Sequence, residues 1–435
     1  MVAPPAPLSV LVANPFAVDP VTLQTARDSL GEQHGRLLEG LLDPGRRQDL
    51  ERGVLAVGHL QACASPGSAS AVLGSDVLPR AVESALPRPR AAYLAVVMAA
   101  ARCRAALDSI LGGSPAMQRL RRETWAACFG DSLVHALNLA QVIQDHDVLI
   151  LGETGTGKEG IAHAIQEGTP GGKDGAPASR SALNAAAVPA TLVESELFGH
   201  VKGAFTGASE SRAGRIRSAD HGCFFLDEVG DLEPTTQVKL LRVIETDEVS
   251  PLGSDAGHEV QVRYVAATHK DLSAMVAEGR FRQDLYQRLA GSVIRLPALR
   301  DRPADIIDIG MAFVARHLAE GALPVTRERT ERWLGGTEAR RYAWPGNVRE
   351  LQNALRNLLL GLEPGIGEAP AVDLVETEGE ALPALVRDAR ASLKEVEDWY
   401  LRRVLAREEG NLAQTARVLG VDRTTVRRKA RRMED

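Results

Sequence analysis

Gly152-Glu-Thr-Gly-Thr-Gly-Lys158-Glu159 is the stretch whose reading decides the fold. It fits the spacing G-x-x-x-x-G-K, in which glycines let backbone N–H groups close around phosphate oxygens and a lysine reaches the outer phosphates. Just upstream, Asp147-Val-Leu-Ile-Leu151 is a short apolar run of the kind that forms a buried parallel strand. Downstream, Ile161 and Ile165 stand four apart, so the spacing predicts a helix starting at the loop. A helix N-terminus there adds partial positive charge to an anion site. The loop alone is more often a glycine turn with a solvated lysine; strand, lysine and helix together argue for a nucleotide. Gly152, Glu153, Thr154, Gly155, Thr156, Gly157, Lys158 and Glu159 are therefore the candidate phosphate-binding residues. Glu159 stands where Ser or Thr usually touches magnesium.

Working outward, a second apolar run, Cys223-Phe-Phe-Leu226, ends in Asp227-Glu228. In a nucleotide site the first acid can help hold Mg2+ and the second can polarise the attacking water. Two acids after a strand are common on surfaces, and only their pairing with the phosphate loop singles them out. A third run, Val260–Ala267, ends in Thr268 and His269, polar groups placed to sense a phosphate or water. Between the phosphate loop and the second run lie Gly203, Ala204, Phe205, Thr206, Gly207 and Ala208, an aromatic and a hydroxyl set among small residues. Composition alone reads this hexapeptide as a buried turn with Phe205 in the core.

Arg282 and Arg288 stand six apart in a helix-favouring segment, either on a charged helix face or offered to a neighbouring subunit's nucleotide. From Leu299 the pattern is wholly helical, with Ile306, Ile309, Phe313 and Val314 on one face. Trp344-Pro-Gly-Asn347 interrupts it, and Asn347 with Glu350 reads as a capping pair for a helix bearing Val348, Leu351, Leu355, Leu358 and Leu359. Arg349 falls in the first turn of that helix, where the dipole disfavours a cation, so another reason must hold it there.

A length of 435 residues suggests about three domains of roughly 150 each. The net charge of −6 argues against a wholly basic nucleic-acid binder but leaves room for a small basic module. Four scattered cysteines without a C-x-x-C pair point to reduced thiols and no zinc site. Met1 to Pro20 lacks signal-peptide character, and the apolar run Ala91–Ala101 is too short to span a bilayer. The expectation is a cytoplasmic protein without a membrane partner. Before residue 113, Val21–Leu42 and Ala91–Leu111 favour helix, Leu8–Val12 suits one strand, and Ala64–Pro89 reads as loop. No ligand cluster, repeat or phosphoacceptor pattern emerges from residues 1–112.

With these motifs in order, residues 113–362 resemble the AAA+ domain of sigma-54-dependent transcriptional activators, the bacterial enhancer-binding proteins. The resemblance rests on G-E-T-G-T-G-K-E, E-S-E-L-F-G-H-V-K-G-A-F-T-G-A, F-L-D-E-V-G-D-L, F-R-Q-D-L-Y-Q-R-L, L-P-A-L-R-D-R-P-A-D-I and W-P-G-N-V-R-E-L. The hexapeptide is nearly private to that family and reverses the reading of Phe205 as core. The resemblance implies that Lys158 and the loop backbone hold ATP, Asp227 holds Mg2+, and Glu228 activates water. It implies that Asn184 pairs with Glu228 as a switch, that Thr268 belongs to a sensor, and that Arg349 contacts the γ-phosphate from a lid. Arg282 and Arg288 match arginine fingers acting between subunits of a ring hexamer, and Gly203–Ala208 matches the loop that grips the sigma factor. The chain departs from the family pattern at His269 (often asparagine), at Val201 (commonly acidic) and in the entry segment Glu123–Gly130.

Glu363–Arg387 reads as a linker, and Leu393, Val396, Tyr400 and Val404 mark an amphipathic helix. Two short helices joined at Gly420, the second basic, suit a helix-turn-helix, though a charged solvated tail has the same composition. The run G-N-L-A-Q-T-A-R-V-L-G-V-D-R-T-T-V-R-R-K resembles the Fis-type module, making Arg423, Thr424, Thr425, Arg427, Arg428 and Lys429 candidates for DNA contact. Such modules usually dimerise on inverted half-sites.

The expected architecture is an α/β AAA+ P-loop domain with a parallel sheet, helices on both faces and a helical lid. A mostly helical N-terminal region precedes it and a small all-α helix-turn-helix follows. Expected boundaries are 1–112, 113–298, 299–362, 363–390 and 391–435. The expected function is ATP-driven remodelling of sigma-54 RNA polymerase from upstream DNA by dimers assembling into hexamers. The alternatives are a DNA-binding regulator with a decayed ATPase, or an AAA+ remodeller of another partner.

Overall fold

The computed structural model describes residues 6–30, 34–65, 71–75, 77–171, 175–206, 208–317 and 324–366, with Tyr400, Leu401, Val404, Gln414, Thr415 and Val426 beyond them. Residues up to 367 form one compact unit and residues 368–435 a second.

Five strands make a parallel sheet: β1 (Val148–Leu151), β2 (Ser179–Asn184), β3 (Gly222–Asp227), β4 (Val262–Thr268) and β5 (Ser292–Arg295). Their spatial order is β2-β3-β4-β1-β5. The register aligns Leu151 with Thr268, Asn184 with Asp227, and Asp227 with Ala267. Four strands thus end on one edge, the C-terminal edge where α/β sheets place their ligands. β1 and β3 follow the apolar runs in the sequence. β5 carries only the half-buried pattern Ser-Val-Ile-Arg and had no comparable signal.

Period-two alternation divides the sheet between two cores. Val148, Ile150, Cys223, Phe225, Val265 and Ala267 face one way, onto Ile161 and Ile165 of the helix Lys158–Glu167. Leu149, Phe224, Leu226, Tyr264 and Ala266 face the other, with Leu240, Ile244, Leu285 and Leu289. The first core continues without a break into the N-terminal helices through Val97, Ala101, Leu107 and Trp125. Helix Arg90–Ser109 lies along Lys158–Glu167, and Arg102 pairs with Glu167 at 3.3 Å.

In the N-terminal region Leu8–Val12 is helical, within Ala6–Val12, not a strand. Leu8, Leu11 and Val12 are all buried, an i, i+3, i+4 stripe that a five-residue apolar run cannot distinguish from a strand. Val21–Leu42 contributes Pro20–Leu30 and His34–Glu39, and Ala64–Pro89 contains a further short helix, Arg80–Ala85. The segment Glu123–Gly130 completes the helix Pro115–Phe129, which Ser114 caps by accepting the Met117 N–H.

The lid has its own core. Ile306, Ile309, Phe313 and Val314 of Asp305–His317 are buried as their spacing predicts. They meet Trp344 and the Leu351, Leu355 and Leu358 stripe of Asn347–Leu359. Asn347, however, does not cap that helix. Gly346 is the N-cap residue, and the Glu350 carboxylate accepts its N–H at 2.8 Å. The Asn347 side chain is drawn away by tertiary partners described below. In the second unit Tyr400, Leu401, Val404, Gln414, Thr415 and Val426 are helical, and Leu401, Val404, Thr415 and Val426 are buried. The DNA-contact candidates Arg423 to Lys429 and most of the linker lie outside the described residues.

Among the described residues no helix is long and apolar enough to cross a membrane. None of the four cysteines forms a disulfide.

Candidate nucleotide site

The loop after β1 turns on Gly155 (φ 79°) and Gly157 (φ 105°), left-handed conformations that glycine adopts without strain. It opens into the N-terminus of Lys158–Glu167, the arrangement that binds anions with backbone N–H groups. A cleft of about 510 Å³ lies over this loop, walled by Lys158, Asn184, Asp227, Glu228, His269 and Arg349.

Lys158 is buried. Its ammonium donates to the carbonyls of Gly152 at 2.9 Å and Glu153 at 3.4 Å, and lies 3.8 Å from Glu228 Oε1. Burial lowers its proton affinity, while the Glu228 and Asp227 carboxylates oppose that shift. Asp227 is displaced upward, chiefly by burial and next by the adjacent Glu228 charge. Two part-buried carboxylates facing a lysine suit a divalent cation, which would relieve that repulsion.

Glu228 itself is left-handed at φ 53°, a conformation that is uncommon for a non-glycine residue and marks functional turns. Its Oε2 lies 2.8 Å from His269 Nδ1 and accepts the His269 N–H and the Thr268 hydroxyl, each at 3.3 Å. Thr268 is wholly buried, and its Oγ1 also accepts the Lys270 N–H. Asn184 Nδ2 donates to Asp227 Oδ2 at 2.8 Å, and its Oδ1 accepts the N–H groups of Ala186 and Ala187. The expected pairing of Asn184 with Glu228 is therefore not the one observed. Register is the reason: Asn184 stands directly beside Asp227 across β2 and β3, whereas Glu228 has turned toward β4.

Arg349 and Glu159 reach the cleft, while Arg282 and Arg288 do not. Arg282 is exposed and paired with Asp284 at 2.6 Å; Arg288 is exposed and donates to the Ile244 carbonyl at 3.4 Å. Gly203–Ala208 tips the loop between the two-residue strands Gly199–His200 and Arg212–Ala213. Phe205 is 37 % exposed, its ring 5.1 Å from that of His200, so it is not a core residue. The turn is tied by Gly203 N–H to Ala208 O at 2.9 Å and Ala208 N–H to Phe205 O at 3.0 Å; Gly207 lies outside the described residues.

Two parts of the site had escaped the sequence reading. A second cavity of about 290 Å³ shares Gly157, Val348 and Gln352 with the phosphate cleft and is lined by Ile110, Leu111, Ile309 and Phe313. The apolar pair Ile110-Leu111 ahead of Gly112-Gly113 was its only signal. In addition, Arg300 pairs with Glu153, and the buried Arg302 donates to the Thr156 carbonyl at 3.2 Å. A groove of about 590 Å³ at the opposite end of the strands, beside His146 and Ser292, has no phosphate loop.

A parallel sheet of this order, a glycine loop at a helix N-terminus, paired acids at the end of β3 with β4 between it and β1, and a helical lid define an AAA+ nucleotide-binding domain. Residues 131–295 match the sigma-54 interaction domain, and residues 392–433 match the Fis family of bacterial regulatory proteins. The chain thus carries a sigma-54 interaction domain of AAA+ type, followed by a segment of the Fis family of bacterial regulatory proteins.

Among its relatives is the anaerobic nitric oxide reductase transcription regulator NorR of Aeromonas salmonicida, 40% identical over 346 residues, covering 74% of this chain and 63% of that protein. The hydrogenase transcriptional regulatory protein HoxA of Bradyrhizobium diazoefficiens is 42% identical over 320 residues, covering 70% and 63%. The formate hydrogenlyase transcriptional activator FhlA of Escherichia coli is 43% identical over 297 residues, covering 66% and 41%. The chain thus spans less than two thirds of the length of these relatives. Among solved structures, NtrX from Brucella abortus in complex with ADP aligns with a TM-score of 0.46 at 27% identity, over 80% of this chain and 73% of that one.

Proposed function

We propose that the chain hydrolyses ATP in an oligomeric ring and uses the resulting motion to remodel sigma-54 RNA polymerase from upstream DNA. The observation that carries this reading is the convergence of Lys158, Asp227, Glu228, Asn184, Thr268 and Arg349 from four strand ends and the lid, with Phe205 displayed on a separate loop. In this reading Lys158 and the loop N–H groups bind the phosphates, and the Ile110–Phe313 cavity takes the base. Asp227 would hold Mg2+, which when bound supplies charge neutralisation on the phosphates. Glu228, oriented by Thr268 and His269, takes the proton of the attacking water, and Asn184 fixes the Asp227 carboxylate. Arg349 meets the γ-phosphate from the lid.

Arg282 and Arg288, which lie away from their own cleft, act on a neighbour's nucleotide and make a hexamer assembled from dimers the working form. Gly203, Ala204, Phe205, Thr206, Gly207 and Ala208 contact the sigma factor. Arg423, Thr424, Thr425, Arg427, Arg428 and Lys429 contact DNA, with an affinity that falls steeply with salt. Residues 1–112 form a regulatory region, 113–298 and 299–362 the two AAA+ parts, 363–390 a linker and 391–435 the DNA-binding domain, all in the cytoplasm. The test is purified protein with Mg2+ and ATP at concentrations that allow oligomers, assayed for phosphate release and capture of sigma-54. Absence of both overturns the proposal.

A further inference from the structure

A carboxylate is an unexpected residue in a loop that binds phosphate, because its charge has the same sign as the ligand. Glu153 directly follows the first glycine of the loop, and two lid residues share its carboxylate. Arg300 engages both oxygens, with Nη1 2.8 Å from Oε2 and Nη2 on Oε1. Asn347 Nδ2 donates to Glu153 Oε2 and to the Thr154 carbonyl, each at 3.1 Å, while its Oδ1 accepts the Leu299 N–H at 2.7 Å.

Asn347 is fully buried and left-handed at φ 53°, a conformation that asparagine adopts more readily than most residues. The next residue closes the contact through backbone, Val348 N–H donating to Gly155 O at 3.0 Å. A Cβ on Gly155 would lie 2.3 Å from the Gly346 carbonyl oxygen, so loop and lid touch with no space between them. Arg349, the lid residue on the cleft wall, follows Asn347 by two positions. The Arg300 guanidinium, and after it the Asn347 amide, hold the Glu153 carboxyl down to about 2, so the acid is ionised and paired at neutral pH.

We propose that Glu153, Arg300 and Asn347 form a latch between phosphate loop and lid, in which Arg300 cancels the Glu153 charge beside the triphosphate and Asn347 sets the position of Arg349. All three are positioning residues. The proposal rests on reading the cleft as an ATP site. Its consequence is an interaction of unusual sign. Arg300→Gln leaves a bare carboxylate near the phosphates and repels nucleotide, whereas Glu153→Gln removes that charge and keeps an acceptor for Asn347. The double variant should therefore bind nucleotide better than Arg300→Gln alone. A bond that merely ties two surfaces together would be lost equally in all three.

The test is equilibrium titration of the full-length protein with mant-labelled ATP and Mg2+, alongside steady-state hydrolysis. Arg300→Gln is expected to weaken binding roughly 10-fold, and Glu153→Gln and the double variant less than about 3-fold. The Arg300→Gln defect should shrink as salt rises, because the repulsion is screened. Arg300→Lys, which keeps the charge, should stay near wild type and guards against misfolding of the glutamine variant. Asn347→Ala should lower kcat, and combined with Arg349→Ala it should cost no more than Arg349→Ala alone. A double variant Glu153→Gln/Arg300→Gln that binds as weakly as Arg300→Gln overturns the charge-cancelling role. Additive losses at Asn347 and Arg349 overturn the positioning role. Wild-type protein that binds the analogue without hydrolysing ATP overturns the proposed activator function; both roles then stay readable in the titration, the Asn347 and Arg349 losses being compared as analogue affinity.

Discussion

His269 Nδ1 lies 2.8 Å from Glu228 Oε2, and the same carboxylate oxygen accepts the His269 backbone N–H at 3.3 Å. The left-handed turn at Glu228 and the end of β4 are thus joined at the acid proposed to activate water. Asn184, meanwhile, is engaged with Asp227. Two neighbouring carboxylates are each held by a different strand.

Glu228→Gln should retain ATP binding and lose turnover by roughly 10²–10⁴, the usual contribution of a positioned general base. His269→Asn, which keeps a polar group on Glu228, should fall less than His269→Ala. Steady-state phosphate release with parallel nucleotide titration checks both. Undiminished turnover in Glu228→Gln would remove it from the chemistry.

Thr206→Ala should keep most ATP hydrolysis and lose open-complex formation, because the hexapeptide loop stands apart from the cleft and exposes Phe205. An in vitro transcription assay with sigma-54 RNA polymerase, run beside the hydrolysis assay, separates the two. Unchanged transcription would reject the loop as the sigma contact.

Arg288→Ala should lower turnover, by as much as the ~10³–10⁵ that arginine fingers contribute. Its side chain lies outside its own protomer's cleft, so a mixture with Lys158→Ala should recover part of the activity. Failure at every mixing ratio would argue against a shared site.

Asp147, at the start of β1, predicts a pH effect on stability. Its Oδ1 accepts the Tyr264 N–H at 3.0 Å, but burial pushes the carboxyl up to about 7. Between about pH 4 and 7 the unfolded chain releases a proton that the folded chain retains. Stability contributed by this group therefore falls as pH rises through that window, and the loss is complete above about 7. Asp147→Asn keeps the acceptor and should be more stable than wild type at pH 8 by about 2–4 kcal/mol, with little difference near pH 4. Denaturant melts at the two pH values check this, and an equal offset at both would contradict it.

Gly155→Ala should abolish nucleotide binding with little loss of overall fold. The added methyl would meet the Gly346 carbonyl at 2.3 Å in a left-handed backbone, forcing loop and lid apart. Circular dichroism with nucleotide titration would show it, and wild-type affinity would mean that the lid contact is dispensable.

The strongest signals in the chain were local ones. Phosphate-loop spacing, apolar runs ahead of Asp227 and Thr268, and the Ile306–Val314 stripe depend on neighbours within a few residues, and backbone geometry enforces them wherever they occur. Leu8–Val12 is helical although so short an apolar run satisfies either period, and β5 gives no local signal because its sequence is half polar. Asn347 illustrates the limit well. Its spacing to Glu350 suggested a cap, but a carboxylate from the phosphate loop and the Leu299 amide outcompete the local N–H.

By itself the sequence determined a parallel α/β nucleotide-binding domain, a helical lid and the identity of the acids and lysine that line the cleft. Only the tertiary structure decided which acid Asn184 holds, that His269 and Thr268 orient Glu228, that Arg300 neutralises Glu153, and that the N-terminal helices continue the core of the sheet. The physical reason is reach. Periodicity and turn chemistry act over a few residues, whereas these pairings join groups some 40 to 200 positions apart, and strand register and lid closure alone bring them within hydrogen-bonding distance.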